Sequence, residues 1–247
     1  MTAPRLSIVV PAYQESRRLP PTLARIVAWT SAQPFVTEIV VVDDGSTDGT
    51  AALAEAALAS VPHRVLLHDR NRGKGAGIRT GMLAAAGEIV LFTDADLSTP
   101  IEEAARFLEE HARGAPIVIG TRKSAGARIL RRQHPLRENM GGVFTLLSNA
   151  LACPGVSDFT CGFKSFTAEA TRAIFPRQVE DGWAYDAEIL HLARRLGFPV
   201  RELPVPWTND PSTRVSLLRD SVGSFAGLLR IRLRSLRGVY GPQVVRP

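Results

Sequence analysis

The sequence predicts an α/β fold: a doubly wound, mostly parallel sheet with helices on both faces, plus a C-terminal amphipathic helix. Three observations lead there. Short continuous Val/Ile/Leu runs at residues 6–10, 38–42, 64–68, 88–92 and 117–119 recur between Ala-rich or amphipathic stretches, and uninterrupted apolar strands belong to sheets covered on both faces. The chain has 247 residues, 45% of them hydrophobic, enough for one large α/β domain that buries about three quarters of its unfolded surface. Polar clusters directly follow three of the apolar runs, where doubly wound sheets bind their ligands.

Taken in order, the helical stretches of the first half lie at 21–31, 50–60, 77–86 and 101–113. The second half is less regular. Residues 120–137 carry Arg122, Lys123, Arg128, Arg131, Arg132 and Arg137 without a clear period, which reads as a mobile basic loop leading into a helix at 140–151. Residues 184–196 form another helix, ended by Gly197 and Pro199. Residues 200–205 are an edge strand, because Pro204 and Pro206 cannot sit in a central ladder. In the last helix, 215–237, Leu218, Val222, Phe225, Leu229, Leu233 and Leu236 recur at spacings of three and four, while Arg219, Arg230, Arg234 and Arg237 share another face. That pattern fits core packing with a solvated arginine face, and equally a basic helix lying on anionic lipid. The chain is accordingly divided at 214 and 215, with residues 215–247 facing the membrane.

Composition excludes several classes. Cys153 and Cys161 are the only cysteines, too few for a disulfide scaffold and without the neighbouring His of a metal quartet, so reduced thiols in a cytosolic protein are expected. The longest uncharged stretch, 139–157, contains Asn139, Ser148, Asn149, Pro154 and three glycines, too polar and broken for a membrane span. The apolar run at 6–10 follows Met1 without a signal-peptide core, so neither a leader nor an anchor is expected. A formal charge of +6 suits anionic partners such as nucleic acid, a membrane surface or phosphorylated substrates.

Three strand ends carry the chemistry. Pro11-Ala12-Tyr13-Gln14-Glu15 follows the first, Asp43-Asp44-Gly45-Ser46-Thr47-Asp48-Gly49-Thr50 the second, and Thr93-Asp94-Ala95-Asp96 the fourth. One acidic turn is an ordinary helix cap, for which Ser46 or Asp48 would serve. Several carboxylates on one rim repel unless a cation is present. In extended chain Asp94 and Asp96 point the same way, and Mg²⁺ or Mn²⁺ is held by one or two carboxylates plus substrate phosphates. Between these clusters, Asn71-Arg72-Gly73-Lys74-Gly75-Ala76-Gly77 opens a helix; its glycines allow close approach of an anion and Lys74 adds a point charge. The spacing is neither G-x-G-x-x-G nor Walker A, and no G-x-S-x-G occurs, which argues against dinucleotide enzymes, P-loop NTPases and serine hydrolases.

Together, residues 7–15, 41–50, 71–75 and 94–96 resemble the family 2 glycosyltransferases of GT-A fold, in that family's order and spacing. Residues 158–166, 182–190 and 231–234 are similar to dolichyl-phosphate glucosyltransferases and related polyprenyl-phosphate sugar synthases. The resemblance implies a UDP-sugar site in which Pro11, Ala12, Tyr13 and Glu15 cradle the nucleoside, with Asp43 near the uracil and Asp44 and Ser46 nearby. Lys74 approaches the nucleotide, Asp94 the ribose or sugar, and Asp96, with Asp94, ligates Mg²⁺ or Mn²⁺. Arg122, Arg137 and Arg214 match positions that meet acceptor or donor phosphates. Asp158 stands where the family places a candidate base, with its role weighted toward organising the acceptor site. The implied reaction is inverting, metal-dependent transfer of glucose from UDP-glucose to a polyprenyl phosphate by a peripheral protein at the cytoplasmic face of the membrane. Alternatives are another donor such as GDP-mannose, or a soluble acceptor. The eukaryotic relatives usually carry Arg-Trp where this chain has Gly182-Trp183. A nucleotidyltransferase should show a glycine-rich basic motif after the first strand, which Pro11–Glu15 is not. A nucleic-acid-binding module gives no reason for acidic strand ends, so no nucleic acid partner is expected. The sequence is compatible with a monomer or a homo-oligomer.

Overall fold

The computed structural model describes residues 3–131, 133, 135–209 and 217–242, without the side chains of 135–137 and 217–222. The first half alternates β1 (Leu6–Ala12), α1 (Leu19–Ser31), β2 (Thr37–Asp43), α2 (Thr50–Leu58), β3 (His63–Leu67), α3 (Lys74–Ala84), β4 (Ile89–Phe92), α4 (Ala104–Ala112) and β5 (Ile117–Thr121). Then come β6 (Arg128–Arg131), α5 (Pro135–Leu151), β7 (Lys164–Thr167), α6 (Ala168–Ile174), α7 (Tyr185–Arg195), β8 (Val200–Pro204), β9 (Pro206–Thr208) and α8 (Leu217–Leu236).

The main sheet has seven strands in the order β3-β2-β1-β4-β7-β5-β8. All are mutually parallel except β7, which runs antiparallel to both β4 and β5. Pleating divides the strand residues between two cores. Val9, Val40, Val42, Val90 and Phe92 face one layer with Ile78 and Met82 of α3. Ile8, Val10, Ile39, Val41 and Leu91 face the other, with Leu23 and Ile26 of α1 and Phe107 of α4. Burial on both sides is why the strands read as unbroken apolar runs. Strand order reverses between β1 and β4: the chain winds outward from β1 through β2 to β3, then returns to place β4 on the other side of β1. The crevice at their carboxyl ends is the ligand position of such sheets.

Three expectations change. Residues 120–137 are not one loop: β5 runs on to Thr121, β6 pairs in parallel with β9 in a second, two-stranded sheet, and α5 starts at Pro135. Strand β7 was not foreseen, because its four residues, Lys-Ser-Phe-Thr, show no apolar run. The helix α8 buries Leu228 and Ile231, whereas Leu229, Leu233 and Leu236 of the predicted stripe are exposed. The close seat of Gly227 on Ala184 selects that face, since a Cβ on Gly227 would overlap the Ala184 methyl. The arginine face is not free either, because Arg230 and Arg234 both pair with buried Glu180. Leu218, Val222 and Arg219 have undescribed side chains. The predicted edge strand is β8, at the border of the sheet.

Candidate functional site

The switch point gathers the predicted nucleotide residues. Past β1, Gln14 adopts a left-handed backbone, φ 56°, and its N–H donates to Ser46 Oγ at 2.8 Å. The Glu15 N–H donates to Thr50 Oγ1 at 2.9 Å, while the Glu15 carboxylate is held by Arg18. The β1 and β2 ends are thereby stitched together. Ala12 is buried, and Tyr13 stands exposed at the rim.

The β2 end is saturated with donors. Asp43 Oδ1 accepts the Ser46 N–H at 3.0 Å and the Ser46 hydroxyl. Asp44 accepts the N–H groups of Arg72 at 2.9 Å and Gly73 at 2.8 Å, and is bonded to His68 Nδ1 at 2.6 Å. Asp48 accepts from Thr50 and from the Ser16 N–H; burial opposes its charge, but those bonds pull its pKa down to about 2. These carboxylates therefore need no cation: the turn reading of this segment holds, the N-cap of α2 is Gly49 with no side-chain cap bond rather than Ser46 or Asp48, and Asp44 carries the glycine loop.

That loop also differs from its expected use. The missing side chains of Gly73 and Gly75 make room for protein, since a Cβ on Gly73 would lie 2.5 Å from the Asp181 carbonyl oxygen and one on Gly75 would overlap that of Glu180. The loop is thus seated on residues 180–182, and Ala76 donates its N–H to Asp181 O at 3.2 Å. Lys74, the first residue of α3, reaches Asp94 Oδ1 at 2.5 Å. Its ammonium lies 5.2 Å from the centre of the Trp183 ring, which is 38% exposed. Burial disfavours the Lys74 charge, but Asp94, Asp186 and Asp96 outweigh it and raise the pKa.

Asp94 and Asp96 do not lie in extended chain. The strand ends at Phe92, a turn closed by the Leu97 N–H on Asp94 O at 3.1 Å follows, and Leu97 takes φ 46°. A turn rather than pleat alternation brings the two carboxylates close. Asp96 accepts the Ser98 N–H at 2.9 Å, and burial, reinforced by Asp94, raises its pKa above the usual carboxylate value. No group of three or more His, Cys, Asp or Glu side chains among the described residues is placed to hold a metal. A desolvated Asp96 and a partly exposed Asp94 still fit a divalent ion whose other ligands are substrate phosphates and water.

Arg122, beyond β5, makes a two-toothed pair with Asp158, Nε–Oδ2 2.7 Å and Nη2–Oδ1 2.8 Å, and its guanidinium lies 5.2 Å from the Trp207 ring centre. Burial would raise the Asp158 pKa, but Arg122 holds it well below the carboxylate range. A fully buried, doubly paired carboxylate is unfit to take a proton; Asp158 fixes Arg122 instead. Arg137 lies in α5 with an undescribed side chain, and Arg214 lies outside the described residues.

Two features escaped the sequence reading. Lys164, fully buried on β7, pairs with Asp186 at 2.5 Å. Glu180 ties the segment under the glycine loop to Arg230 and Arg234 of α8. Lys164 lies in a sequence motif already noted and Glu180 just outside one, but partners 22 and 50 residues away leave no local signal.

Residues 7–175 match the sequence profile of Glycosyl transferase family 2. The chain is 33% identical to the dolichyl-phosphate beta-glucosyltransferase of Dictyostelium discoideum, with 95% of this chain and 76% of that protein covered. It is 31% identical to the human enzyme of the same name, over 96% of this chain and 77% of that one. Among solved structures, glucosyl-3-phosphoglycerate synthase of Mycobacterium tuberculosis with Mn²⁺, UDP-glucose and phosphoglyceric acid superposes with a TM-score of 0.67 at 21% identity, covering 97% of this chain and 80% of that one. Sheet order, strand-end motifs and these matches agree: the chain is a glycosyltransferase of GT-A fold and belongs to glycosyltransferase family 2.

Proposed function

We propose that this protein transfers glucose from UDP-glucose to a dolichyl-type polyprenyl phosphate, with inversion and with Mg²⁺ or Mn²⁺, as a peripheral protein on the cytoplasmic face of a membrane. The observation that carries the reading is the similarity, over nearly the whole chain, to enzymes named dolichyl-phosphate beta-glucosyltransferases.

In this reading Pro11, Ala12, Tyr13 and Glu15 receive the nucleoside, the Asp43–Ser46 turn shapes the uracil pocket, and Asp94 faces the ribose or sugar. Asp96, with Asp94, would hold the divalent ion, which supplies counter-charge to the departing diphosphate. Lys74 adds a fixed positive charge beside the same oxygens, and is positioned by Asp94 until donor arrives. The acceptor phosphate, with a second pKa near 6, is largely dianionic at neutral pH. It attacks the anomeric carbon without proton abstraction, consistent with the absence of basicity at Asp158. Arg122, held flat by Asp158 and Trp207, together with Arg137 and Arg214, would meet phosphate oxygens.

No helix among the described residues is long and apolar enough to cross a membrane. Two neighbouring helices nevertheless expose apolar side chains: Val143 and Leu146 on α5, and Leu229, Leu233 and Leu236 on α8. The proposed membrane-facing segment, 215–247, contributes the second set, with Arg232 and Arg237 beside it.

The test is transfer of labelled glucose from UDP-glucose with Mn²⁺ to a short polyprenyl phosphate, run beside GDP-mannose and phosphoglyceric acid, together with co-sedimentation on anionic vesicles. Product on the lipid phosphate and sedimentation lost in Leu229/Leu233/Leu236→Ser are expected. Transfer to phosphoglyceric acid alone overturns the lipid acceptor, and transfer from GDP-mannose alone overturns the donor.

A further inference from the structure

Between α5 and β7 the chain makes a short loop, Asp158 to Lys164, that is pinned at both ends by buried ion pairs. At one end Asp158 receives the Arg122 side chain and the Arg122 N–H at 3.0 Å. At the other, Lys164 Nζ donates to Asp186 at 2.5 Å and to the Cys161 carbonyl at 2.6 Å, and lies 5.4 Å from the Phe92 ring centre. Charge pairs of this kind are poor net stabilisers but lose much when one partner is removed. Their effect is to leave the loop a single position.

The middle of that loop meets the donor site. The antiparallel β4–β7 ladder ends with Phe92 facing Lys164, so the turn after β4 and the loop before β7 leave the sheet side by side. Contact follows: the three atoms nearest a Cβ added to Gly162 are Asp94 Oδ2, Cγ and Oδ1, and the added atom would overlap them. With Lys74 on Oδ1 at 2.5 Å, the carboxylate is confined between an ammonium and a bare backbone.

We propose that the Asp158–Lys164 loop is a bracket that sets the position of the Asp94 carboxylate, with Gly162 as its contact face and the Asp158–Arg122 and Lys164–Asp186 pairs as its anchors. Gly162 is a positioning residue: it acts through Asp94, and any side chain at 162 displaces that carboxylate. The proposal rests on the reading that Asp94 belongs to the donor site.

The experiment is a double-mutant cycle on the full chain with Gly162→Ala, Asp94→Ala and the pair. It reads UDP affinity with Mn²⁺ by calorimetry, kcat with UDP-glucose, and melting temperature. Gly162→Ala should lower kcat by about 10- to 100-fold, the scale of a ~1 Å misplacement, and weaken UDP–Mn²⁺ binding. In the Asp94→Ala background the same change should cost less than about twofold, because coupled residues are non-additive. If Gly162→Ala itself melts early, Asp94→Ala must restore its melting temperature, since the clash is with that carboxylate. Parent-like binding and turnover in Gly162→Ala, additive losses in the pair, or an early melt that Asp94→Ala does not rescue, each overturns the bracket. Asp94→Ala with parental UDP affinity instead removes the donor-site reading, and the bracket with it.

Discussion

The β2 and β4 strand ends look alike in composition and behave oppositely. Asp43 ends β2 and Asp44 and Asp48 follow it, Asp94 and Asp96 follow β4, and both sets lie at the carboxyl edge of the same sheet. At β2 the carboxylates are bonded to Ser46, Arg72 N, Gly73 N, His68, Thr50 and Ser16 N. At β4 one carboxylate rests on a side-chain cation, Lys74, and the other is bonded only by Ser98, through its N–H and its side chain. Backbone donors satisfy a carboxylate permanently, and such a group builds a loop. A carboxylate with few fixed donors, desolvated beside another, retains its appetite for a cation. The number of acidic residues says nothing about which case applies.

The sharpest test of that contrast is Asp96→Asn. The amide oxygen can keep the Ser98 N–H bond, so the melting temperature should stay near the parent's. Loss of the ion's charge stabilisation should lower turnover by about 10²-fold or more. Full turnover in Asp96→Asn, or in EDTA, would break the assignment of charge chemistry to β4.

The converse holds at β2. Asp44→Ala strips the partner from two backbone N–H groups and from His68, a loss of about 3 kcal/mol at 1–3 kcal/mol per group left partly unsatisfied. For a chain of this size the melting temperature should fall by about 6–12 °C, with UDP affinity falling because the Arg72–Lys74 loop is released. A melting temperature within about 2 °C of the parent's would mean that Asp44 is spare, and the contrast would collapse.

How far these differences were legible follows from where the partners lie in the chain. Of the five parallel strands of the first half, β1, β2, β4 and β5 declared themselves because they are buried on both faces, edge strand β3 by its Val-Leu-Leu run alone, and the strand-end motifs because they interrupt apolar runs. The fate of Asp44 was not legible, since its partners sit 24 to 29 residues on. Lys164 in a central strand runs against composition, and Asp186, brought up by α7, with the Cys161 carbonyl, makes it tolerable. In α8 two apolar stripes compete, Leu228 with Ile231 against Leu229 with Leu233 and Leu236. Spacing alone cannot choose between them; the contact of Gly227 with Ala184 does.

If β2 builds the base pocket while β4 carries charge, nucleotide choice should depend on the former. With Mn²⁺ present, UDP should bind at least about tenfold more tightly than GDP or ADP, a difference of about 1.4 kcal/mol. Ser46→Ala, which loosens the Asp43 turn and the Gln14 N–H bond, should erode that preference while Asp96→Asn leaves it. Calorimetry with the three nucleotides decides. Equal affinities in the parent would detach the β2 turn from the base.

The smallest effect is read in acid. Asp48 is held by donors from Thr50 and Ser16, and its pKa falls from an ordinary 3.8 to about 2 in the folded chain. A carboxylate whose folded pKa is depressed stabilises fully above its unfolded pKa, because there it is ionised in both states and its bonds exist only in the fold. As pH drops from about 3.8 toward 2 the unfolded chain takes up the proton first, and the contribution is lost across that window. Asp48→Asn keeps an acceptor at the start of α2, so at neutral pH its melting temperature should lie within about 2 °C of the parent's. Between pH 4 and 2 the parent should lose stability more steeply than the variant. Asp96 gives the opposite sign: its folded pKa is raised, so its burden on the fold is relieved as pH falls through that value, and Asp96→Asn should flatten a gain rather than a loss. Parallel acid limbs for the parent and both variants would show that the two strand ends hold their carboxylates alike.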